Sequence, residues 1–450
     1  MKIGFLAMSG VRVRDEELLK LGLTLPGFVE RSEVIASLPS LGLLYLAAVT
    51  PAGHTLSYFE SEDGSSEPEA LYDCDLVAIS TFSAQVQEAY EIASRLRERG
   101  VVVAMGGLHV SALPEEAARY VDHVIVGEGE RVWPSVVRSV EEGRRGERWD
   151  AAKEGLVNLD LLPIPRYDLL DQRPYNRFTV QTSRGCPWRC DFCASTVTLG
   201  LGYRKRPVSK IVRDIQAVQD LRSHPFIEFA DDNTFVDKRW GKELCRALIP
   251  LGIKWFTETD ITVADDPELL ELMAQAGCRQ VLIGLESPDA ASLEGIETKA
   301  NFKARSADSF LEAIHRIQSS GITVNGCLVL GLDNHTPAIF EQVYDFVLRS
   351  NLYEVQVTVL TPFPGTPLYD RLLAEGRLLE PEAWSRCTLF DVNYVPKKMS
   401  PEELRQGLHT LVSSLYEPET VNRRRSRFFE GLRRETRART HSNLEELVGV

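Results

Sequence analysis

Residues 182–195 read Thr-Ser-Arg-Gly-Cys-Pro-Trp-Arg-Cys-Asp-Phe-Cys-Ala-Ser, which places Cys186, Cys190 and Cys193 in one short loop. A loop with this spacing can aim three thiolates at one point. Thiolates are soft ligands suited to iron–sulfur clusters or zinc. Structural zinc usually takes four protein ligands, yet no His or Cys follows Cys193 until His224, which sits in a different predicted element. A four-iron cluster on three cysteines leaves one iron open to a further ligand, and this reading is preferred to zinc. Arg177 to Thr182 reads as a strand that delivers the loop.

The Cys-x3-Cys-x2-Cys spacing, with the aromatic Phe192 before the last cysteine, resembles the motif of the radical S-adenosylmethionine (radical SAM) superfamily. The resemblance implies a [4Fe-4S] cluster on Cys186, Cys190 and Cys193, with S-adenosylmethionine (SAM) bound at the open iron. It implies one-electron cleavage of SAM to a 5′-deoxyadenosyl radical that abstracts a substrate hydrogen. The cofactor carries the hard chemistry and the protein positions it. Phe192 is then a cofactor contact. Asp231, Asp232 and Asn233 stand where the family has its methionine-binding stretch, and carboxylates there can accept from an ammonium. Asp also favours helix N-caps. Glu258 and Asp260 end the next strand and are the candidate catalytic groups. Glu286 and Ser287 end the strand after it, where the family binds ribose hydroxyls. Asn325 to Gly331 and Pro362 to Gly365 resemble the segments that flank adenine, with Asn325 and Pro364 as candidate contacts.

Strands alternate with helices along both halves of the chain. Lys2–Ala7, His54–Glu60, Asp75–Ser80, Val101–Gly107 and His123–Glu130 read as strands, with helices at Pro39–Ala48, Ala84–Arg99, Pro114–Tyr120 and Val132–Glu142. This alternation predicts a doubly wound parallel sheet. Strands after the cysteine loop are predicted at Phe226–Ala230, Ile253–Glu258, Gln280–Ser287, Ile322–Leu330 and Val355–Leu360. The α/β fold class is therefore a doubly wound parallel sheet, a partial (β/α)6 TIM-type barrel, and a helical C-terminal region. The expected divisions are 1–145, a linker at 146–176, the barrel at 177–395 and helices at 396–450.

Gly106-Gly-Leu-His-Val-Ser-Ala-Leu-Pro-Glu115 and Asp122-His-Val-Ile-Val-Gly-Glu-Gly-Glu130 resemble the cobalamin (B12)-binding domain that precedes many radical SAM cores. Ser80 and the Gly106-Gly107 pair match places where that family approaches the corrin, and glycine lets backbone come close. The family's cobalt-ligating Asp-x-His-x-x-Gly is absent, because the first loop reads Met8-Ser-Gly-Val-Arg-Val-Arg-Asp15 and the first histidine is His54. His109 and His123 read as satisfied core or surface residues. Cobalamin is therefore expected to be dispensable, with the long Ser9–Ser37 loop filling the corrin cleft.

The rebuilt first loop and the Pro39-Ser-Leu-Gly-Leu-Leu context are similar to radical SAM enzymes of aminoglycoside biosynthesis. That resemblance implies dehydration of an amino-sugar diol, with an NAD(P)H-dependent reductase completing deoxygenation. The alternative is a cobalamin-dependent C-methyltransferase. A redox or cobalamin sensor needs less than six barrel units, and RNA methylthiolation needs more cysteines than the lone Cys74 of the N-terminal half. A net charge of −14 argues against a nucleic-acid partner and suits a cationic amino sugar as substrate. Eight cysteines in 450 residues are no disulfide scaffold, and with a cluster implied they fit the reducing cytoplasm. Flavodoxin or ferredoxin is the expected electron donor. No apolar run reaches the roughly 18 residues of a membrane span. Arg423–Arg439 carries eight arginines and two glutamates and reads as a solvated helix face.

Overall fold

The structure is a computed structural model that describes residues 1–8, 13, 18, 38–61, 67–170, 175–195 and 202–448, with side chains as far as 434. The Met8–Asp15 stretch beyond Met8, and the Ser9–Ser37 loop, lie outside the described residues apart from Val13 and Leu18. The chain divides into two compact units. The first comprises Met1–Glu16, Glu33–Asp232 and Thr361–Tyr394, and the second Glu17–Ser32, Asn233–Leu360 and Val395–Val450.

The first unit holds a parallel sheet of β1 (Lys2–Met8), β2 (Thr55–Ser61), β3 (Leu76–Ser80), β4 (Val102–Gly106), β5 (His123–Val126) and β6 (Glu147–Asp150), in the order β2-β1-β3-β4-β5-β6. Helices cover both faces, so the central strands are almost continuously apolar; in β1 only Lys2 is exposed. Helix Val86–Glu98 buries Val86, Ala89, Tyr90, Ile92, Ala93 and Leu96, one stripe at helical spacing. The strand order reverses at β1, and the crevice beyond Met8 and Ser80 is the switch point where such sheets bind ligands. The segment read as a linker carries β6, which extends the sheet at β5. Its Glu-Arg-Trp-Asp sequence has no apolar alternation because it is a short edge strand.

Beyond the sheet, the first unit continues through β7 (Phe178–Val180), the antiparallel pair β8 (Ser183–Arg184) and β9 (Arg204–Lys205), helix Val208–Leu221 and β10 (Phe226–Phe229), which pairs in parallel with β7. The second unit sets β11 (Lys254–Glu258), β12 (Cys278–Glu286), β13 (Thr323–Leu330) and β14 (Glu354–Val359) side by side, all parallel. Strands β7 and β10 to β14 are the six predicted for the partial (β/α)6 arrangement. Helix Lys238–Leu248, where the sequence reading assigns no element, completes the strand–helix alternation; Asp237 caps it by accepting from Trp240 N at 3.0 Å.

The C-terminal region is helical as expected, at Pro401–Tyr416 and Pro418–Val448. Gly407 faces the Phe340 ring where a Cβ would collide, so glycine lets this helix lie against helix Ile339–Ser350. The arginine-rich helix is not simply a solvated face. Arg424 is buried, Arg425 Nη2 donates to Glu354 Oε2 at 3.1 Å and lies over the Tyr353 ring, and Arg427 Nη1 donates to Asn351 Oδ1 at 3.0 Å. Arg433 and Arg434 are exposed. Among the described residues no helix is long and apolar enough to cross a membrane.

Candidate active site

The cysteine loop is a closed excursion between β8 and β9, whose antiparallel register sets Ser183 opposite Lys205 and Arg184 opposite Arg204. Cys186, Cys190 and Cys193 are each half-buried and none forms a disulfide. Cys193 N donates to Cys190 O at 3.2 Å, which closes a tight turn between the last two cysteines. Among the described residues no group of His, Cys, Asp or Glu is already gathered tightly enough to hold a metal ion. The donor set still fits an iron–sulfur cluster, with three thiols on one partly exposed loop. Metal binding is coupled to folding, and loading would draw them together. Phe192 is half-buried beside Cys193.

Three anchors hold this loop. At its start, the buried carboxylate of Asp231 accepts from Thr182 N at 2.8 Å, Ser183 N at 3.0 Å and the Thr182 hydroxyl. Asp232 Oδ2 accepts from Gly185 N at 3.1 Å. Two groups expected to contact SAM thus brace the backbone that leads into Cys186. At the tip, Asp191 O accepts from Leu368 N at 3.0 Å, and Arg371 Nη2 donates to Asp191 Oδ2 at 3.2 Å. Pro364 is buried in the turn before helix Pro367–Ala374, whose N-cap is Thr366.

The third anchor comes from the turn after β5. Arg184 is buried and donates from Nη1 to Glu128 Oε1 at 3.0 Å, from Nη2 to Glu130 Oε1 at 2.7 Å and from Nη2 to Gln181 Oε1 at 2.8 Å. Arg204 donates to both oxygens of Glu128, with Nη1 to Oε2 at 3.1 Å. Glu128 Oε2 also accepts from Val157 N at 2.7 Å. Burial opposes the Glu128 charge, but the Arg204 hydrogen bond and the Arg184 charge outweigh it and hold its carboxyl below the usual range. Burial likewise opposes the Arg184 charge, and Glu130 and Glu128 outweigh it. The sequence shows the Gly-Glu-Gly-Glu turn but not its partners, which lie more than fifty residues away.

In the second unit the strand ends are polar, as barrel active sites require. Glu258 is exposed. Asn233 is buried; its Nδ2 donates to Asp260 Oδ2 at 2.9 Å and its Oδ1 accepts from Asp260 N at 3.2 Å. Asp260 Oδ1 accepts from Thr262 N at 3.0 Å and caps the next turn. Asn233 and Asp260 therefore brace the end of β11, beside the exposed Glu258. Glu286 has φ +64°, a left-handed conformation costly for a side chain of its kind. Lys303 ion-pairs with Glu286 and donates to Gly284 O at 2.9 Å, neutralising the carboxylate read as a ribose contact. Ser287 Oγ lies 3.1 Å from His335 Nε2 and accepts from Asp289 N at 3.1 Å. Burial pushes His335 down to about 4. Asn325 lies near the start of β13, opposite Glu354, rather than at the strand's end. Its side chain is buried with Oδ1 unbonded among the described residues.

At the carboxyl edge of the first sheet, Gly107 has φ +110° and lies so close to Thr81 that a Cβ would stand 2.6 Å from the Thr81 carbonyl oxygen. Phe82 is 60% exposed there. The histidines lie elsewhere; His109 is satisfied as expected, whereas buried His123 has Nε2 unbonded among the described residues. His109 is buried, with Nδ1 at 3.1 Å from Ser83 Oγ and Nε2 at 3.2 Å from Glu116 Oε1. His123 is buried beside Trp149. His54 lies at the opposite edge, before β2, near the Met1 amine at 3.3 Å.

Comparison with known proteins agrees with this architecture. The radical SAM superfamily matches residues 180–347, the B12 binding domain residues 32–137, and a domain of unknown function residues 366–449. The bacteriochlorophyllide d C-12(1)-methyltransferase of Chlorobaculum tepidum is 24% identical over 85% of this chain and 84% of its own. The hopanoid C-2 methylase of Rhodopseudomonas palustris is 28% identical over 77% of this chain and 66% of its own. The structure of the radical SAM methyltransferase TsrM from Kitasatospora setae, with cobalamin and [4Fe-4S] cluster bound, shares the fold at a TM-score of 0.65 and 16% identity, covering 93% of this chain and 89% of that one. The chain carries a radical SAM domain at residues 180–347 and, N-terminal to it, a B12-binding domain at residues 32–137.

Proposed function

We propose that the protein is a cobalamin-dependent radical SAM C-methyltransferase acting on a small-molecule substrate. The observation that carries this reading is the reach of the likeness. Two methylating relatives align over 85% and 77% of the chain, across both the B12-binding and the radical SAM regions. Diol dehydration of an amino sugar is thereby replaced by its alternative, and the NAD(P)H-dependent reductase goes with it. Cobalamin, expected above to be dispensable, becomes a working cofactor.

Cys186, Cys190 and Cys193 would hold the [4Fe-4S] cluster, while Ser80, Phe82, Gly106 and Gly107 line the edge that fits a corrin. Among the described residues that edge presents no imidazole, and the sequence has none before His54. Ser80, Gly106 and Gly107 would let a corrin come close to the backbone, and the exposed Phe82 ring would be available to pack against it. When bound, the cluster with SAM supplies one-electron chemistry and cobalamin supplies a methyl carrier. The chain's own residues do the positioning. Asp231 and Asp232 fix the start of the cysteine loop, and Asp191 with Arg371 fixes its tip. Glu258, exposed at the end of β11, is a carboxylate able to take a substrate proton. Flavodoxin or ferredoxin would deliver the electron.

The test is to supply SAM with a deuterated methyl group, a one-electron reductant and the small-molecule fraction of a cell extract to reconstituted protein, with and without hydroxocobalamin. The expected product carries deuterium and forms only with cobalamin. A cobalamin-independent product lighter than its precursor by one water would restore the dehydratase reading.

A further inference from the structure

The register of β8 and β9 creates a problem that the turn after β5 solves. Arg184 and Arg204 stand directly opposite each other at the neck of the cysteine loop. Like charges in that position destabilise a strand pair, and this pair is short: among the described residues it has the Ser183–Lys205 rung and one further bond, from Arg206 N to Thr182 O at 2.9 Å. Without a counter-charge, the repulsion would fall on a neck held by few bonds. Glu128 is the group placed between the two guanidiniums, bonded to both and fixed from behind by Val157 N. Glu130 takes the other Nη of Arg184. Both carboxylates belong to the turn that follows β5, whose Gly127 N donates to Ser111 Oγ at 2.9 Å. Ser111 in turn lies in the helix that follows Gly106-Gly107.

We propose that Glu128 is a positioning residue for the cysteine loop: by bridging Arg184 and Arg204 it keeps the neck closed, so that Cys186, Cys190 and Cys193 can converge on one cluster. The B12-binding domain would thus contribute to cluster assembly through this charge bridge. This rests on the reading of the three cysteines as cluster ligands. Glu128→Gln keeps the shape and loses the charge, leaving two cations face to face. Glu128→Asp keeps the charge. The double variant Glu128→Gln/Arg204→Gln removes the repulsion together with its remedy.

The experiment reconstitutes wild type and the three variants with iron and sulfide. It then follows iron release to a ferrous chelator and the low-temperature electron paramagnetic resonance spectrum of the reduced cluster with SAM. Groups that orient metal ligands from behind typically change metal affinity about tenfold to a hundredfold. E128Q should release iron faster by about that factor with an altered spectrum, E128D should approach wild type, and the double variant should recover most of the loss. E128Q indistinguishable from wild type in release and spectrum overturns the proposal. If E128Q fails to fold by circular dichroism, the double variant decides. Folding with a retained cluster supports the bridge, and failure of both overturns it. A wild type that takes up no cluster refutes the cysteine reading instead, so the two failures are told apart.

Discussion

Replacing Asp231 with Ala separates a bracing role from a SAM-binding one. The carboxylate is buried and accepts two backbone N–H groups and one hydroxyl. Removing it strands the Thr182 and Ser183 amides, whose residues are fully buried. A buried donor without a partner costs about 1–3 kcal/mol. Taking the middle of that range for two donors, with water entering the vacated volume, gives a loss of about 3 kcal/mol. For a unit of this size that corresponds to a fall in Tm of roughly 6–12 °C. Asp231→Asn keeps an acceptor oxygen for both amides and should cost only about 1 kcal/mol. The assay is thermal unfolding of the iron-free protein by circular dichroism, paired with SAM titration of the reconstituted protein. An Ala variant with an unchanged Tm but SAM binding weakened about tenfold or more would refute the bracing argument and return Asp231 to the ammonium.

Four further outcomes follow from the same geometry. Replacing Cys186, Cys190 and Cys193 together with Ala should abolish iron and sulfide uptake; near-normal cluster content would remove them as ligands. Lys303→Met leaves Glu286 unpaired in a mostly buried site and should cost about 3 kcal/mol in urea unfolding, whereas a neutral result would show that Glu286 reaches water. His335 stays neutral in the fold down to about pH 4, while an unfolded histidine protonates near pH 6.5, at about 1.4 kcal/mol for each unit of difference. Stability is therefore complete above pH 6.5 and lost as pH falls towards 4, and His335→Gln should flatten this part of the curve; an unchanged slope contradicts the assignment. Glu67, held down to about 2 by Arg95 through hydrogen bonds of 2.8 and 2.6 Å, contributes stability that is present above its unfolded value of about 4.5 and lost as pH falls towards 2. Glu67→Gln should remove that acid limb.

The strands were legible because sheets covered on both faces need uninterrupted apolar runs, as in Val101–Met105 and Gln280–Leu285. The cysteine loop was legible because ligand spacing is a local property. What escaped the sequence was tertiary. Strand β6 is polar because only one of its edges is paired, and helix Lys238–Leu248 is dominated by charged residues around a narrow stripe of Trp240, Leu244, Cys245 and Leu248. Asp231 and Asp232 sit at a strand end where carboxylates can bind a ligand or tie down a loop, and only the Thr182, Ser183 and Gly185 amides distinguish the two. Glu128 and Glu130 were visible as a motif, but their partners Arg184 and Arg204 come from the far side of the sequence. The docking of Arg424 and Arg425 is a tertiary fact of the same kind.

The central claim is that one chain uses a cluster and cobalamin together. Its most direct measurement is the metal content of protein reconstituted anaerobically with iron, sulfide and hydroxocobalamin and then gel-filtered. A chain that uses both should retain about four iron and about one cobalt. Iron at that level with no retained cobalt would contradict it.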